Sequence, residues 1–289
     1  MKLNRTLVMC LTIALAAAVA IGGTTAYLTS TSGQQNIMTL GNVGIVQNEQ
    51  QRGVDEEGNP TLDNFVQHQK LLPAYHDDEP EKDGCVTVNG VEYPIVHETV
   101  DGEVDKIVTV SNIGSEPAYV RTLFAFEDTN GMFSKLHVVW HREAAFPTQT
   151  TPEGTTEYIR FTHEGTTYIV GVYVYEAPLD EGGITAPSML QIYWDKSVTK
   201  EELAQAGSEY DILVLSQAVQ ARMGDLSAAA ALDEAFGVVT PGNAEQIKQW
   251  FLDADLLVIT PGGASVPADP TASTDPNAGS GEGGSIADE

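Results

Sequence analysis

Two histidines, His137 and His141, stand four residues apart in the segment HVVWH. Imidazole binds zinc, and a His-Glu-x-x-His sequence on a helix would place two such ligands on one face beside a glutamate base. Here valine, valine and tryptophan separate the histidines and favour a strand, while Glu143 lies outside them. In a strand the rings would lie about 13 Å apart, too far to share one ion. The spacing therefore favours surface histidines over a metal site.

Two acidic runs, VDEEGN and YHDDEPEKDG, hold oxygen ligands of the kind that calcium binds. Neither run matches a defined calcium loop. Solvated acidic loops are therefore the favoured interpretation, with calcium binding as the alternative.

Nucleophilic catalysis finds no support in the sequence. No Gly-x-Ser-x-Gly segment occurs, and Cys85 stands at a predicted strand start without a recognisable base nearby. Cys85 is also the only cysteine after residue 26, which excludes an intramolecular disulfide and leaves a free or an intermolecular thiol. We predict a non-catalytic protein with no metal ligands and no cofactor.

Seven segments alternate apolar and polar residues or are dense in β-branched and aromatic types, which predicts strands. They are KIVTVSNIG, AYVRTLFAFE, LHVVW, TEYIRFT, TTYIVGVYVYE, LQIYW and YDILVLSQAVQ. His163-Glu164-Gly165 lies between two of them and predicts a three-residue hairpin loop with Gly165 in the left-handed conformation. Many short strands with glycine, proline and asparagine turns predict a mainly β fold, a sandwich of two antiparallel sheets.

A few short helices are predicted in the C-terminal third. GDLSAAAALDEAFG offers a cap at Asp225 or Ser227 and a stop at Gly237. GNAEQIKQWFLDA offers a cap at Asn243 and places its isoleucine, tryptophan and phenylalanine on one face. Residues 261–289 are rich in Gly, Ser, Pro, Ala and Asp, so we predict a disordered acidic tail.

The first residues have the composition of an export signal. Lys2 and Arg5 precede an apolar run at 7–21, which is shorter than the roughly 20 residues that span a bilayer. A cleaved signal is therefore favoured over a permanent anchor. The preference for small residues alone would place cleavage after Ala20, with Ala26 as the other candidate.

The chain is strongly acidic, with 14 lysines and arginines against 41 aspartates and glutamates. Residues 1–26 hold two basic and no acidic residues, so their removal changes the net charge from −27 to −29. Such an excess repels nucleic acid and anionic lipid, and it suggests solubility, cation binding or assembly governed by ionic strength and pH. We expect no nucleic-acid partner, and membrane contact only through the uncleaved signal.

Three segments resemble the TasA, CalY and camelysin family, which Gram-positive bacteria export with a SipW-type signal peptide. GGTTAYLTSTSGQQNIMTLGNVGI is similar to the family's signal end and first strand. VDKIVTVSNIGSEPAYVRTLFAFE is similar to its strand, turn and strand, and YDILVLSQAVQARMGDLSAAAALDEAFG to a C-terminal segment and helix. The resemblance implies a jelly-roll domain and cleavage between Ala26 and Tyr27 by a SipW-type signal peptidase.

The resemblance also implies fibres in which the mature N-terminal segment of one subunit adds as a strand to the next. An extended segment satisfies an open sheet edge with main-chain hydrogen bonds while alternate side chains fill its groove. The strand-donor candidates have strand propensity and no proline. They are Tyr27, Leu28, Thr29, Ser30 and Thr31. Alternatively, this piece pairs within its own subunit or is an ordered leader without a special role.

The predicted organisation is a signal peptide at 1–26, an N-terminal strand segment at 27–46, a jelly-roll-like domain at 47–260 and the tail at 261–289. An acidic insertion near 73–103, where the family often has a shorter turn, has no predicted task.

The expected function is that of a secreted, non-catalytic structural protein of the biofilm matrix or cell surface, which forms fibres with itself and contacts other matrix proteins. One alternative is a monomeric exported adhesin or ligand-binding module that uses tyrosines of YIVGVYVYE. The other is a camelysin-like metallopeptidase, which the missing zinc motif disfavours.

Overall fold

The structure is a computed structural model that describes residues 37–40, 43–65, 74–75, 84–96, 104–142, 144–206, 210–221 and 226–254. The predicted signal peptide, its cleavage site at Ala26 and Tyr27, the strand-donor candidates and the predicted tail lie outside these ranges.

Sixteen strands form within the described ranges. In chain order they are β1 (Ile37–Leu40), β2 (Ile45–Val54), β3 (Pro60–Asn64), β4 (Ala74–Tyr75), β5 (Gly84–Val88), β6 (Val91–Ile95), β7 (Val104–Asp105), β8 (Ile107–Asn112), β9 (Ala118–Glu127), β10 (Leu136–Trp140), β11 (Thr148–Thr150), β12 (Thr156–Tyr158), β13 (Arg160–His163), β14 (Thr166–Val174), β15 (Met189–Trp194) and β16 (Ile212–Gln220). The helices are α1 (Lys200–Ala206), α2 (Ala228–Phe236) and α3 (Ala244–Asp253), with 3₁₀ turns at Thr129–Lys135 and Pro241–Asn243. The predicted mainly β fold with a few short helices near its C-terminal end is confirmed.

The largest sheet has five strands in the order β1, β16, β9, β14 and β13. A second sheet is formed by β10, β15 and β4, with β7 also paired to β15, and a third by β3, β2 and β8. Most pairings are antiparallel, as expected for a sandwich. Two are parallel, β1 with β16 and β15 with β4, and no local pattern in the sequence indicated them.

The core lies on both faces of the five-stranded sheet, which is why β9 is buried along nearly its whole length. On one face Leu123 and Leu215 pack against Trp250 and Phe251 of α3. On the other face the apolar side chains of β9, β14 and β16 pack against β15 of the second sheet. The sheet is therefore the middle layer between the C-terminal helices and the second sheet.

The hairpin between β13 and β14 has a shorter turn than predicted. His163 pairs with Thr166, so the loop holds only Glu164 and Gly165, with φ angles of 48° and 89°. Two consecutive left-handed residues form the turn whose twist matches that of the flanking strands. The conformation predicted for Gly165 is confirmed, whereas the predicted three-residue loop length was wrong.

The C-terminal helices begin at the predicted caps. The Ser227 hydroxyl accepts a hydrogen bond from the backbone N–H of Ala230, and Gly237 ends α2, as predicted. Asn243 occupies the N-cap position of α3, but its side chain donates to the carbonyl of Val238 instead of capping the helix. Within the described residues, none of the helices combines the length and the apolar character that crossing a membrane requires.

Part of the acidic insertion forms a hairpin that the sequence analysis did not predict. Strands β5 and β6 are joined by Asn89 and Gly90, both with positive φ. One face of the hairpin packs Val86 and Tyr93 into a cluster with Leu190 of β15. The segment VTVNGVEY carried a local signal for it, since Asn-Gly between alternating residues is the strongest short hairpin pattern.

Candidate functional site

The part of the predicted N-terminal strand segment (27–46) that the structure describes begins at β1. This strand forms one edge of the five-stranded sheet and runs parallel to β16, with Ile37 opposite Ser216 and Leu40 opposite Val219. Met38 is buried in the core, and its sulfur accepts a hydrogen bond from Gln217. The donor candidates at 27–31 precede β1 and lie outside the described residues.

Strand β1 covers only part of the β16 edge. β16 pairs with β9 from Ile212 to Gln220, whereas β1 pairs only with Ser216–Val219. Among the described residues, 212–215 has no strand neighbour on the β1 side. The carbonyl of Val214 there accepts a hydrogen bond from the Gln47 side chain at 3.1 Å. The Gln47 side chain thus satisfies one backbone carbonyl that a paired strand would otherwise satisfy.

The two histidines of HVVWH have different partners. Nε2 of His137 lies 2.8 Å from the Asp195 carboxylate, and its ring stacks on Tyr193 with 5.0 Å between centroids. His141 follows β10, and its ring meets Tyr93 edge-on at 5.0 Å. LHVVW forms the predicted strand, β10. Among the described residues, no three His, Cys, Asp or Glu side chains lie close enough together to hold a metal ion.

The first acidic run forms the turn between β2 and β3. One Asp55 oxygen accepts a hydrogen bond from the backbone N–H of Asn59 at 2.7 Å, and the other accepts from its side-chain amide at 2.9 Å. The Asn59 side chain, followed by its backbone, lowers the pKa of Asp55. These oxygens stabilise the turn.

The second acidic run falls mostly outside the described residues. Cys85, which follows this run, is exposed in β5.

A cavity of about 600 Å³ opens beside the end of β14. The rings of Tyr173 and Tyr175 line it, with their centroids 4.9 Å apart. Arg142 and Glu176 also line the cavity, and both side chains are largely exposed. Nη1 of Arg142 lies 4.0 Å from Oε2 of Glu176. Of the tyrosines that the sequence suggested as ligand contacts, these two meet at the cavity, whereas Tyr168 packs in the core below α3.

The Tyr175 hydroxyl is enclosed by the protein. It has no hydrogen-bond partner of ordinary geometry within the described residues. Burial raises its pKa, an effect that the nearby hydroxyls of Ser188, Thr185 and Thr122 partly offset. Tyr175 thus lines the cavity while its hydroxyl lies in a polar region inside the protein.

One group of buried polar side chains was not predicted from the sequence. Gln47, Glu49 and Lys106 are each less than a tenth exposed, and Glu49 contacts both of the others. The segment IVQNEQ contained a partial signal, because alternation places Gln47 and Glu49 on the same face as Ile45. The partner lysine lies far along the chain and could not be assigned.

Comparison with known proteins finds no family model, curated protein or solved structure that matches this chain.

Proposed function

We propose that this chain is a secreted, non-catalytic structural subunit of an extracellular matrix or cell-surface fibre. In this proposal the N-terminal segment that follows Ala26 adds as a strand to the sheet of the next subunit. The position of β1 in the sheet is the observation that supports this proposal. The first strand of the described residues, β1, lies at an edge of the five-stranded sheet, where it pairs with Ser216–Val219 of β16.

Strand addition suits such an edge because main-chain hydrogen bonds hold the added strand while alternate side chains enter its groove. The resemblance of three segments to exported fibre-forming proteins supports the same assignment. The partners would be further copies of the chain and other matrix proteins, after processing by a SipW-type signal peptidase.

The test is electron microscopy of the purified chain beginning at Tyr27, incubated at acidic pH. We expect filaments from this chain and from a control that lacks residues 283–289. A deletion of equal length at 27–33 should leave dispersed particles. Filaments from the 27–33 deletion would exclude assembly through this segment, and dispersed particles from every variant would exclude the fibre proposal.

A second candidate is a monomeric exported ligand-binding module, which the cavity beside β14 favours. Aromatic walls of Tyr173 and Tyr175 next to the charged Arg142 and Glu176 would suit a ligand with an apolar body and a polar end. Binding of the purified chain to matrix polysaccharide tests this candidate. Arg142→Ala should weaken binding, whereas Lys200→Ala, which removes an exposed charge outside the cavity, should not. Equal binding by both variants would exclude the cavity as the site.

A further inference from the structure

The cavity beside the end of β14 lies beyond the point where β13 begins. β13 pairs with β14 as far as Ile169, and further along β14 Val172 exchanges two backbone hydrogen bonds with Ala145. Val172 and Ala145 both line the cavity. The opposite edge of the same sheet is formed by β1, with β16 and β9 in between. The cavity and the start of the described N-terminal strand segment therefore belong to opposite sides of one sheet.

The cavity has the size and the lining of a side-chain pocket. Its volume of about 600 Å³ falls within the roughly 300–1,000 Å³ that is usual for binding pockets. Its walls are the rings of Tyr173 and Tyr175 together with aliphatic side chains, among them Ala177 and Leu179. Because aromatic rings pack favourably edge to face and in offset stacks, such walls suit another aromatic side chain.

Two oppositely charged side chains also line the cavity. Arg142 and Glu176 are 70% and 88% exposed, and their charged atoms lie 4.0 Å apart, at the outer limit of an ion pair. The carboxylate can accept hydrogen bonds from an ammonium, and the guanidinium can donate to a backbone carbonyl. The two groups together fit the start of a polypeptide chain, where a free amine is followed by a carbonyl.

The segment that begins at Tyr27 matches this lining. Residues 27–36 contain no charged side chain, so the α-amine released by cleavage after Ala26 is the only charge of the segment. In a chain with a net charge of −29, another copy repels this segment less than it repels the acidic parts. Tyr27 also supplies an aromatic side chain directly beside the amine.

We propose that the cavity beside β14 receives the side chain of Tyr27 from a second copy of this chain. The ring packs against Tyr173 and Tyr175, and the α-amine binds the Glu176 carboxylate. This inference rests on the proposed fibre function and on cleavage after Ala26. Seating one residue in a pocket fixes the register of the added strand. Because the contact joins two different surfaces, a growing row keeps a free segment at one end and a free cavity at the other.

Fluorescence anisotropy of a labelled peptide tests this docking. The probe is the synthetic peptide of residues 27–36 with a free amine and a dye at its other end. The receptor is the chain beginning at Tyr27, at neutral pH and low salt. We expect saturable binding, and about two- to fivefold weaker binding after N-acetylation, which removes the charge of the amine. Equal binding of the acetylated peptide would overturn the assigned contact with Glu176.

Absence of binding to the chain beginning at Tyr27 would overturn the proposal. If only the chain that lacks residues 27–33 bound the peptide, the segment would occupy the cavity of its own subunit, and docking between copies would be rejected.

Variants locate the site. Ala177→Trp fills the cavity from an exposed position and should abolish peptide binding. Glu176→Gln should weaken binding of the free-amine peptide about two- to fivefold and leave the acetylated peptide unaffected. Glu181→Gln is the matched control, because Glu181 is exposed in the same loop but does not line the cavity, and it should bind like the wild type. Wild-type affinity in Ala177→Trp would exclude the cavity as the docking site.

Electron microscopy separates a failure of this docking from a failure of the fibre function. Ala177→Trp should leave dispersed particles under the conditions in which the wild-type chain forms filaments. Filaments from Ala177→Trp would overturn the docking and leave the fibre function intact. Dispersed wild-type particles together with saturable, acetylation-sensitive peptide binding would support the docking and reject the fibre function.

Discussion

Arg121 of β9 and Asp233 of α2 form an ion pair, with Nη1 and Oδ1 2.7 Å apart, although 112 positions separate them in the sequence. The Arg121 side chain is 2% exposed, and it also donates to the Gln217 side chain and to the carbonyl of Gly237. Burial lowers the pKa of Arg121, and the Asp233 carboxylate opposes that effect. This arginine connects the five-stranded sheet to the C-terminal helices.

Replacing Asp233 by alanine leaves the Arg121 guanidinium buried without its carboxylate. Losing one partner of a buried pair costs about 3–5 kcal/mol, and we expect the lower end because Asp233 is 35% exposed. Urea denaturation measures the free energy of unfolding. Glu234→Ala, at an exposed position of the same helix, is the control and should change it by less than about 0.5 kcal/mol. Equal effects of the two substitutions would contradict the assigned role.

The Lys135–Glu202 pair predicts a loss of stability in acid. The Lys135 ammonium and the backbone N–H of Thr199 lower the pKa of Glu202 from 4.5 to about 2. A carboxylate with a lower pKa in the folded state stabilises the fold fully above its unfolded pKa. That contribution is lost as the pH falls from 4.5 towards 2.

Melting temperatures measured against pH test this loss. The melting temperature of the wild type should exceed that of Glu202→Gln near neutral pH. The difference should shrink below pH 4.5 and vanish once the pH falls below the folded-state pKa of about 2. Glu201→Gln, at the exposed neighbouring position, should show no such difference. A difference for Glu202→Gln that does not change with pH would reject the electrostatic explanation.

Gly171 of β14 allows the Phe146 ring to lie directly against the backbone. A Cβ atom at this position would stand 2.8 Å from Cε1 of Phe146, which is closer than side chains tolerate. Gly171→Ala should therefore lower the free energy of unfolding by about 1–3 kcal/mol. In the Gly171→Ala background, Phe146→Leu should cost less than it costs alone, because the smaller side chain relieves the overlap. Strictly additive losses in urea denaturation would contradict a direct clash.

Self-assembly should depend on the net charge of −29 that remains after removal of residues 1–26. Subunits with this charge repel each other at neutral pH and low salt, where screening is weak. Acidic pH or divalent cations should therefore increase assembly, which light scattering measures. Scattering that is insensitive to both conditions would exclude electrostatic control.

Local signals in the sequence predicted many elements because they depend on neighbouring residues. α2 begins after Ser227 and ends at Gly237, as predicted, because capping involves residues that are only a few positions apart. LHVVW formed a strand because β-branched and aromatic residues favour one. The hairpin at Asn89-Gly90 was equally local but was not recognised.

The candidate sites required tertiary structure because their partners are distant in sequence. Gln47 and Ser216 are 169 positions apart, and only the packing of β2 on β16 brings them into contact. The parallel pairing of β1 with β16 likewise depends on how the sheet closes. By itself, the sequence determined the strand content, the helix caps and the excess of negative charge. The sheet order, the cavity beside β14 and the Lys106–Glu49–Gln47 group were decided by long-range packing, which no local pattern encodes.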